Sequence, residues 1–291
     1  MAWILFTVLA AFMQTFRNAL QSKLSGHVST LGVTLARFIF AVPIAGIYLF
    51  ILHTVEPVSV PQFNNTFFFY VLLAAVMQII ATALMVMLFK QKNFAIGAGL
   101  AKSEALVAAI LGALFFGSSL SPIGYVGVII GAISVFILSG LSFKQGFQVK
   151  TVMIGLASGT SFALTSLSVR EASLALELPF IHRAAWVLVA VLCLQTLILI
   201  AHIAYQERTT FIKMKQHRLS ILMISLTSCL GSIGWFSAMS LQYVPYVKTL
   251  GQIEVLFTIL LATFWLKQKP KQNEIIGLLL IALAAVLVMW Q

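Results

Sequence analysis

Apolar residues fill this chain in long runs, broken at intervals by single polar side chains and by short polar turns. Ten runs have the length of about 17–25 residues that a helix needs to cross the hydrocarbon of a bilayer. They cover 2–22, 30–52, 66–88, 95–116, 121–139, 151–169, 179–203, 219–242, 247–266 and 273–290. The pattern predicts an all-α integral membrane protein of ten transmembrane helices with short connections, the longest being 53–65 and 204–218. The second half also repeats the first. Leu100, Glu104, Leu106 and Leu111 fall on Leu250, Glu254, Leu256 and Leu261 at an offset of 150 residues, which also carries Gly127 onto Gly277 and Ala132 onto Ala282. Five spans are an odd number, so a second copy enters the membrane upside down. We read two inverted five-helix repeats, 1–145 and 146–291, as in secondary transporters.

Composition agrees: 61% of residues are hydrophobic and 9% charged, and the mean hydropathy is +1.05. A water-soluble protein of this length needs more polar surface. The short connections leave no room for a nucleotide-binding domain, which excludes ATP-driven transport by this chain alone. Span 1 follows Met1 without the basic stretch of a secretory leader, so it is expected to be retained.

The net charge of +11 reports orientation rather than nucleic-acid binding, because the basic residues are scattered over loops. Setting aside Arg17, Arg37, Lys102 and Arg183 as intrahelical leaves fourteen Lys and Arg. Twelve fall in the odd-numbered connections, and only Arg170 and Lys248 in the even ones. The positive-inside rule then puts the odd loops in the cytoplasm of a bacterial inner-membrane protein and both termini outside.

Charged groups inside a span cost at least about 2.5–3.5 kcal/mol and so mark protein interiors or wet cavities. In span 1, Gln14, Arg17, Asn18 and Gln21 share one helical face. Span 6 has a weaker stripe of Ser158, Ser161, Thr165 and Ser168, expected to act as interhelical glue. Glu104 in span 4 and Glu254 in span 9 occupy matching positions about 13–15 Å into their helices, beside Lys102 and Gln252 respectively. Two readings stand: carboxylates that exchange a proton or hold a cationic part of a substrate, as coupling or gating groups, or structural pairing with Lys102, Arg17, Arg37 or Arg183. Gln78 and Thr82 in span 3 match Ser228 and Ser232 in span 8, with Trp235 and Phe236 a turn further on. An aromatic beside hydrogen-bonding groups suits a planar solute, though the ring can equally be packing.

Phe67, Phe68, Phe69, Tyr70, Trp265 and Trp290 read as interfacial belts. Glycines at 97, 99, 117, 124, 127, 131, 155, 159, 231 and 234 permit close helix contact. The segment Tyr243 to Lys248 around Pro245 is a gate hinge or a tight turn, with Lys248 placed to attract an anionic group at a cavity mouth or simply solvated. Cys193 and Cys229 suggest no disulfide or metal framework. No metal-binding, nucleophile-elbow or phosphate-loop motif occurs, and there is no aspartate. We expect no catalytic residue, metal or cofactor.

The ten short-looped spans in two repeats, Arg37-Phe38 taken as opening span 2, and small-residue spans 4 and 9 followed by Gly-rich spans 5 and 10 resemble the EamA family of the drug/metabolite transporter superfamily. The resemblance covers the whole chain and implies a central cavity between repeats, with amino acids, nucleotide sugars, phosphorylated sugars, cofactors or cationic drugs as solutes. Two departures are the turn Gly117-Ser118-Ser119-Leu120-Ser121-Pro122, which lacks the usual acidic and basic residues, and external termini where many relatives have cytoplasmic ones. Within the family, Gln14-Thr15-Phe16-Arg17-Asn18-Ala19-Leu20-Gln21 is similar to a segment of bacterial riboflavin importers. The expected substrate-binding residues are Gln14, Arg17, Asn18, Gln78, Thr82, Trp235 and Gln252, and the coupling or gating residues Lys102, Glu104, Lys248 and Glu254. The partners are the lipid bilayer and a small solute, flavin or amino-acid-like, with no nucleic acid and with a homodimer left open. An exporter of amino acids or drugs is the first alternative to flavin uptake, and a membrane scaffold or receptor the second.

Overall fold

The computed structural model describes residues 2–91, 99–115, 121–138, 149–267 and 271–289. In a bilayer the backbone must satisfy its own hydrogen bonds, and these apolar runs do so as helices. They are α1 (Ala2–Leu24), α2 (Thr30–Ala36), α3 (Ala41–Val55), α4 (Asn65–Gln91), α5 (Glu104–Phe115), α6 (Pro122–Leu138), α7 (Val149–Leu174) and α8 (Phe180–Gln206). There follow α9 (Thr209–Gln216), α10 (Arg218–Leu241), α11 (Val244–Leu250), α12 (Glu254–Leu260) and α13 (Gln272–Met289). Among the described residues, seven helical stretches are long and apolar enough to cross a membrane, with α2–α3 and the run from α11 to Trp265 each counted as one. Large apolar side chains such as Leu5, Phe50, Leu197 and Phe264 point outward, as a lipid-facing surface requires.

Three pairings are the most extensive: α1 on α10, α4 on α7, and α6 on α13. Small residues permit close approaches in the first of these and between α6 and α5. A Cβ on Gly234 would lie 2.6 Å from the Phe6 carbonyl oxygen of α1, and one on Gly131 2.2 Å from Leu106.

Several segments are interrupted where polar groups cluster. Between α2 and α3 the chain makes a tight turn at 37–40, splinted by Ser225 of α10. Its hydroxyl donates to the Ala36 carbonyl at 2.7 Å and accepts the Phe40 N–H at 3.2 Å. Arg37 therefore stands at a break in the middle of 30–55 rather than at its opening. Residues 99–101 are helical, the chain turns through Lys102 and Ser103, and α5 starts at Glu104. The later segment behaves alike: a 3₁₀ turn at Gly251–Ile253 separates α11 from α12, which starts at Glu254. The two glutamates matched in the sequence thus each open a helix after a tightened turn.

Four other expectations change. The connection 204–218 contains α9, whose buried Thr210 and Met214 lie one turn apart opposite Lys213 and Lys215; Thr210 docks it on Ser29 before α2. Phe67 is buried rather than interfacial, because it packs with Phe63 against the core. Arg170 belongs to α7 rather than a loop, and caps the end of α10 by donating to the Met239 and Gln242 carbonyls at 2.8 and 2.7 Å. The Tyr243–Lys248 segment is helical from Val244 onward: α10 ends at Leu241 and α11 starts at Val244, with Pro245 in its first turn, where a missing N–H costs nothing. Gly97, Gly117 to Leu120, Trp290, Lys92, Lys144 and Lys269 lie outside the described residues.

Candidate functional site

Where these interruptions meet α1, α4, α7 and α10, charged side chains converge in the centre of the fold. Arg17, 1% exposed, is among the largest fully buried side chains. It sits one turn from Gln14 on α1 because the polar stripe of that helix faces inward, against α10 and α12.

The glutamates are held by lysines in a crossed pattern. Lys102, in the turn before α5, pairs with Glu254. Lys248, from α11, pairs with Glu104 at 2.7 Å. Each bridge runs from the first half of the chain to the second. Glu254 is further satisfied by α1: Gln14 donates to Oε2 at 2.7 Å and Asn18 to Oε1 at 3.2 Å. Glu104 accepts the Ser166 hydroxyl of α7 at 2.8 Å. Both carboxylates also lie at helix N-termini, where the backbone dipole favours negative charge.

Trp235 of α10 is bound into the same cluster. Its indole N–H donates to Gln14 Oε1 at 2.9 Å, Lys248 Nζ lies 4.3 Å from its ring centroid, and its ring edge packs on Gly251, where a Cβ would approach to 2.6 Å. The missing side chain at Gly251 lets the 3₁₀ turn lie against the indole. Arg17 donates through Nε and Nη2 to Asn18 Oδ1 at 3.2 and 2.8 Å. Arg37 donates to Thr82 at 2.7 Å, and Gln78 accepts from Gln195 of α8 at 2.8 Å.

These groups enclose a cavity of about 30 Å³, space for about two waters. In this conformation the protein's own side chains leave little room at the centre for a solute. Of the residues expected to bind solute, Gln14, Arg17, Asn18, Gln78 and Trp235 line the cavity, as do Lys102, Glu104, Lys248 and Glu254. Thr82 stands behind Arg37, and Gln252 turns back to the Lys248 carbonyl at 3.3 Å and faces a lateral apolar pocket. Lys248 is a correction: it is buried in α11 and paired, not at a mouth and not in a loop. Arg17, Arg37 and Arg183, considered as glutamate partners, bond instead to Asn18, Thr82 and Ser240. Ser166 and Phe162 also line the cavity and went unread, Ser166 because it lies one residue off the hydroxyl stripe of its helix. Of that stripe Ser158 bonds across to another helix, donating to the Ala81 carbonyl, whereas Ser161 and Thr165 donate within their own helix and Thr165 also lines the cavity.

A family model described as the EamA-like transporter family matches the chain twice, at residues 1–140 and 149–290. The chain belongs to that family, which makes it a multi-pass membrane transporter of the drug/metabolite transporter superfamily. A solved structure named only "Crystal structure of protein" is similar at a TM-score of 0.66 and 16% identity, covering 99% of this chain and 96% of its own; this likeness speaks for the fold alone. No curated protein matches the sequence.

Proposed function

We propose that the chain is a secondary transporter of ten spans in two inverted repeats, 1–145 and 146–291, that moves a small organic metabolite across the bacterial inner membrane by alternating access. The crossed pairs Lys102–Glu254 and Lys248–Glu104 carry this reading. Both join the halves across the central cavity, so a rocking motion of one half against the other must separate them. A transporter needs interactions that hold one state firmly and part in another, and buried ion pairs have that character: strong when formed, costly when one partner is left alone. The two successive family matches, the paired breaks before Glu104 and Glu254, and the reciprocal packing of α1 on α10 and α4 on α7 support two related halves. Broken helices at a site between repeats are a recurring transporter device.

In this scheme Gln14 and Asn18, once Glu254 releases them, hold the polar part of the solute together with Arg17. Trp235 offers its ring once Lys248 withdraws, and the Lys–Glu pairs gate. Lys23, Lys90, Lys150, Arg208, Lys213, Lys215, Arg218, Lys267 and Lys271 lie on the odd connections or the helix ends beside them, whereas the two even-side exceptions are drawn into helix packing. This supports a cytoplasmic face at the odd connections. Riboflavin rests on residues 14–21 alone and forms one arm of the test, amino-acid export the other. Radiolabelled riboflavin uptake into an auxotrophic bacterium expressing the chain, lost on Arg17→Ala, would select the first. Accumulation unchanged from the empty host, with reduced intracellular amino acids, would select the second.

A further inference from the structure

The cavity carries more positive charge than the protein itself neutralises. Four cations line it, Arg17, Arg37, Lys102 and Lys248, against two carboxylates, Glu104 and Glu254, an excess of two. The carboxylates are taken by the lysines. Among the described residues the guanidiniums hydrogen-bond only neutral side chains, Asn18 and Thr82, with the Phe38 and Phe162 rings also against Arg37. Arg17 Nη1 and Arg37 Nε are buried with no hydrogen-bond partner among those residues, while both residues are at most 2% exposed.

No other side chain can make up the difference. The chain has seven acidic residues, all glutamates and all described; Glu56, Glu171, Glu177, Glu207 and Glu274 do not line the cavity. Deprotonation offers no relief, since guanidinium keeps its proton in proteins. Buried, unmatched charge is among the costliest features a fold can carry. Its persistence at a cavity points to a counter-charge that arrives from outside.

Resting on the transporter reading above, we infer that the solute is a dianion, a small molecule bearing two carboxylates or a phosphate monoester, received by Arg17 and Arg37. Guanidinium forks suit both groups because they donate two parallel N–H bonds to planar or tetrahedral oxyanions. Gln78, beside Arg37 on the cavity wall, adds an amide. A neutral flavin, a zwitterionic amino acid or a cationic drug would leave the excess charge unmatched.

The test is thermal unfolding of the purified protein in nanodiscs at constant ionic strength, titrated with succinate, glycerol 3-phosphate, leucine or choline. We expect Tm to rise with the logarithm of dianion concentration, with succinate or glycerol 3-phosphate showing which oxyanion is preferred, and leucine and choline inert. Arg17→Gln and Arg37→Gln are expected to unfold no earlier than the parent when empty, since each removes an unmatched charge, and to weaken dianion stabilisation by about tenfold or more. Arg37→Lys restores part of it. No stabilisation by either dianion, or equal stabilisation by leucine or choline in parent and variants, overturns the inference. Counterflow in proteoliposomes separates the two levels. Counterflow of a neutral or cationic solute untouched by either Arg→Gln change keeps the transporter and overturns the dianion. Dianion binding without any counterflow keeps the site chemistry and overturns the transporter.

Discussion

Lys102 reaches Glu254, 152 residues further along the chain, and the bond closes the centre of the molecule. Its counterpart, Lys248 to Glu104, runs the opposite way between the same two broken helices. Neither pair could be inferred from neighbours in sequence, and together they tie the halves at two points.

Removing one partner of such a pair strands the other. Lys102→Met should destabilise the protein by about 3–5 kcal/mol, because the buried Glu254 carboxyl loses its ammonium partner and keeps groups that only partly replace it. Adding Glu254→Gln should recover at least half of the loss, since Gln14 and Asn18 can still bond an amide. Denaturation of the single and double variants in detergent checks this; equal stability of the two would mean that the pair contributes little.

Reversing a pair keeps the attraction while exchanging its ends. Glu104→Lys and Lys248→Glu should each abolish transport by placing like charges together. The double exchange should restore a measurable fraction. The measurement is solute counterflow in proteoliposomes, and a double variant as inactive as either single would show that the groups act separately.

The closeness of α7 to the turn before α5 depends on Gly159. A Cβ there would lie 2.1 Å from Ser103 Oγ and 2.9 Å from the Glu104 backbone nitrogen. The backbone cannot yield cheaply, so Gly159→Ala should cost about 1–3 kcal/mol and reduce activity by displacing Glu104. Gly231→Ala is the control: its nearest neighbour would be Met13 Cβ at 3.5 Å, an ordinary contact, and the change should be neutral or stabilising by up to about 1 kcal/mol. Parallel melting curves and counterflow rates separate the two.

Ser225 serves the break that positions Arg37. Ser225→Ala leaves the Phe40 N–H and the Ala36 carbonyl without the hydroxyl, at a cost of about 1–3 kcal/mol. Amide hydrogen exchange at residues 37–41 should quicken while α10 stays protected. Unchanged exchange there would show that the turn holds itself.

The sequence made the apolar runs legible because lipid allows so few backbone solutions, and its 150-residue offset matched Glu104 with Glu254, each of which opens a helix after a tightened turn. Periodicity on α1 likewise found Gln14, Arg17 and Asn18, since three polar groups on one face of an apolar helix leave few alternatives. Pairing was not legible. Lys248 looked like a loop residue because Pro245 precedes it, yet proline in a first helical turn does not interrupt a helix. Arg37 looked like a helix start, for the turn at 37–40 is stabilised by Ser225 from a distant segment, a contact no local pattern records. Helix α9 was missed because two buried positions one turn apart are too few to make a period. Ser166 escaped because its partner, Glu104, is 62 residues away.

On the proposed mechanism the central cavity opens to one side at a time. Ser232 lines the cavity and is buried. In a background where Cys193 and Cys229 are replaced by Ala, Ser232→Cys can be labelled with a membrane-impermeant maleimide in right-side-out and in inverted vesicles. Labelling is expected to be slow from both sides in the parent, with a rate that rises from one side and falls from the other when Lys102→Met or Glu104→Gln removes one of the crossed pairs. A rate that rises equally from both sides, as in an open channel, or labelling from neither side in any variant, would contradict it.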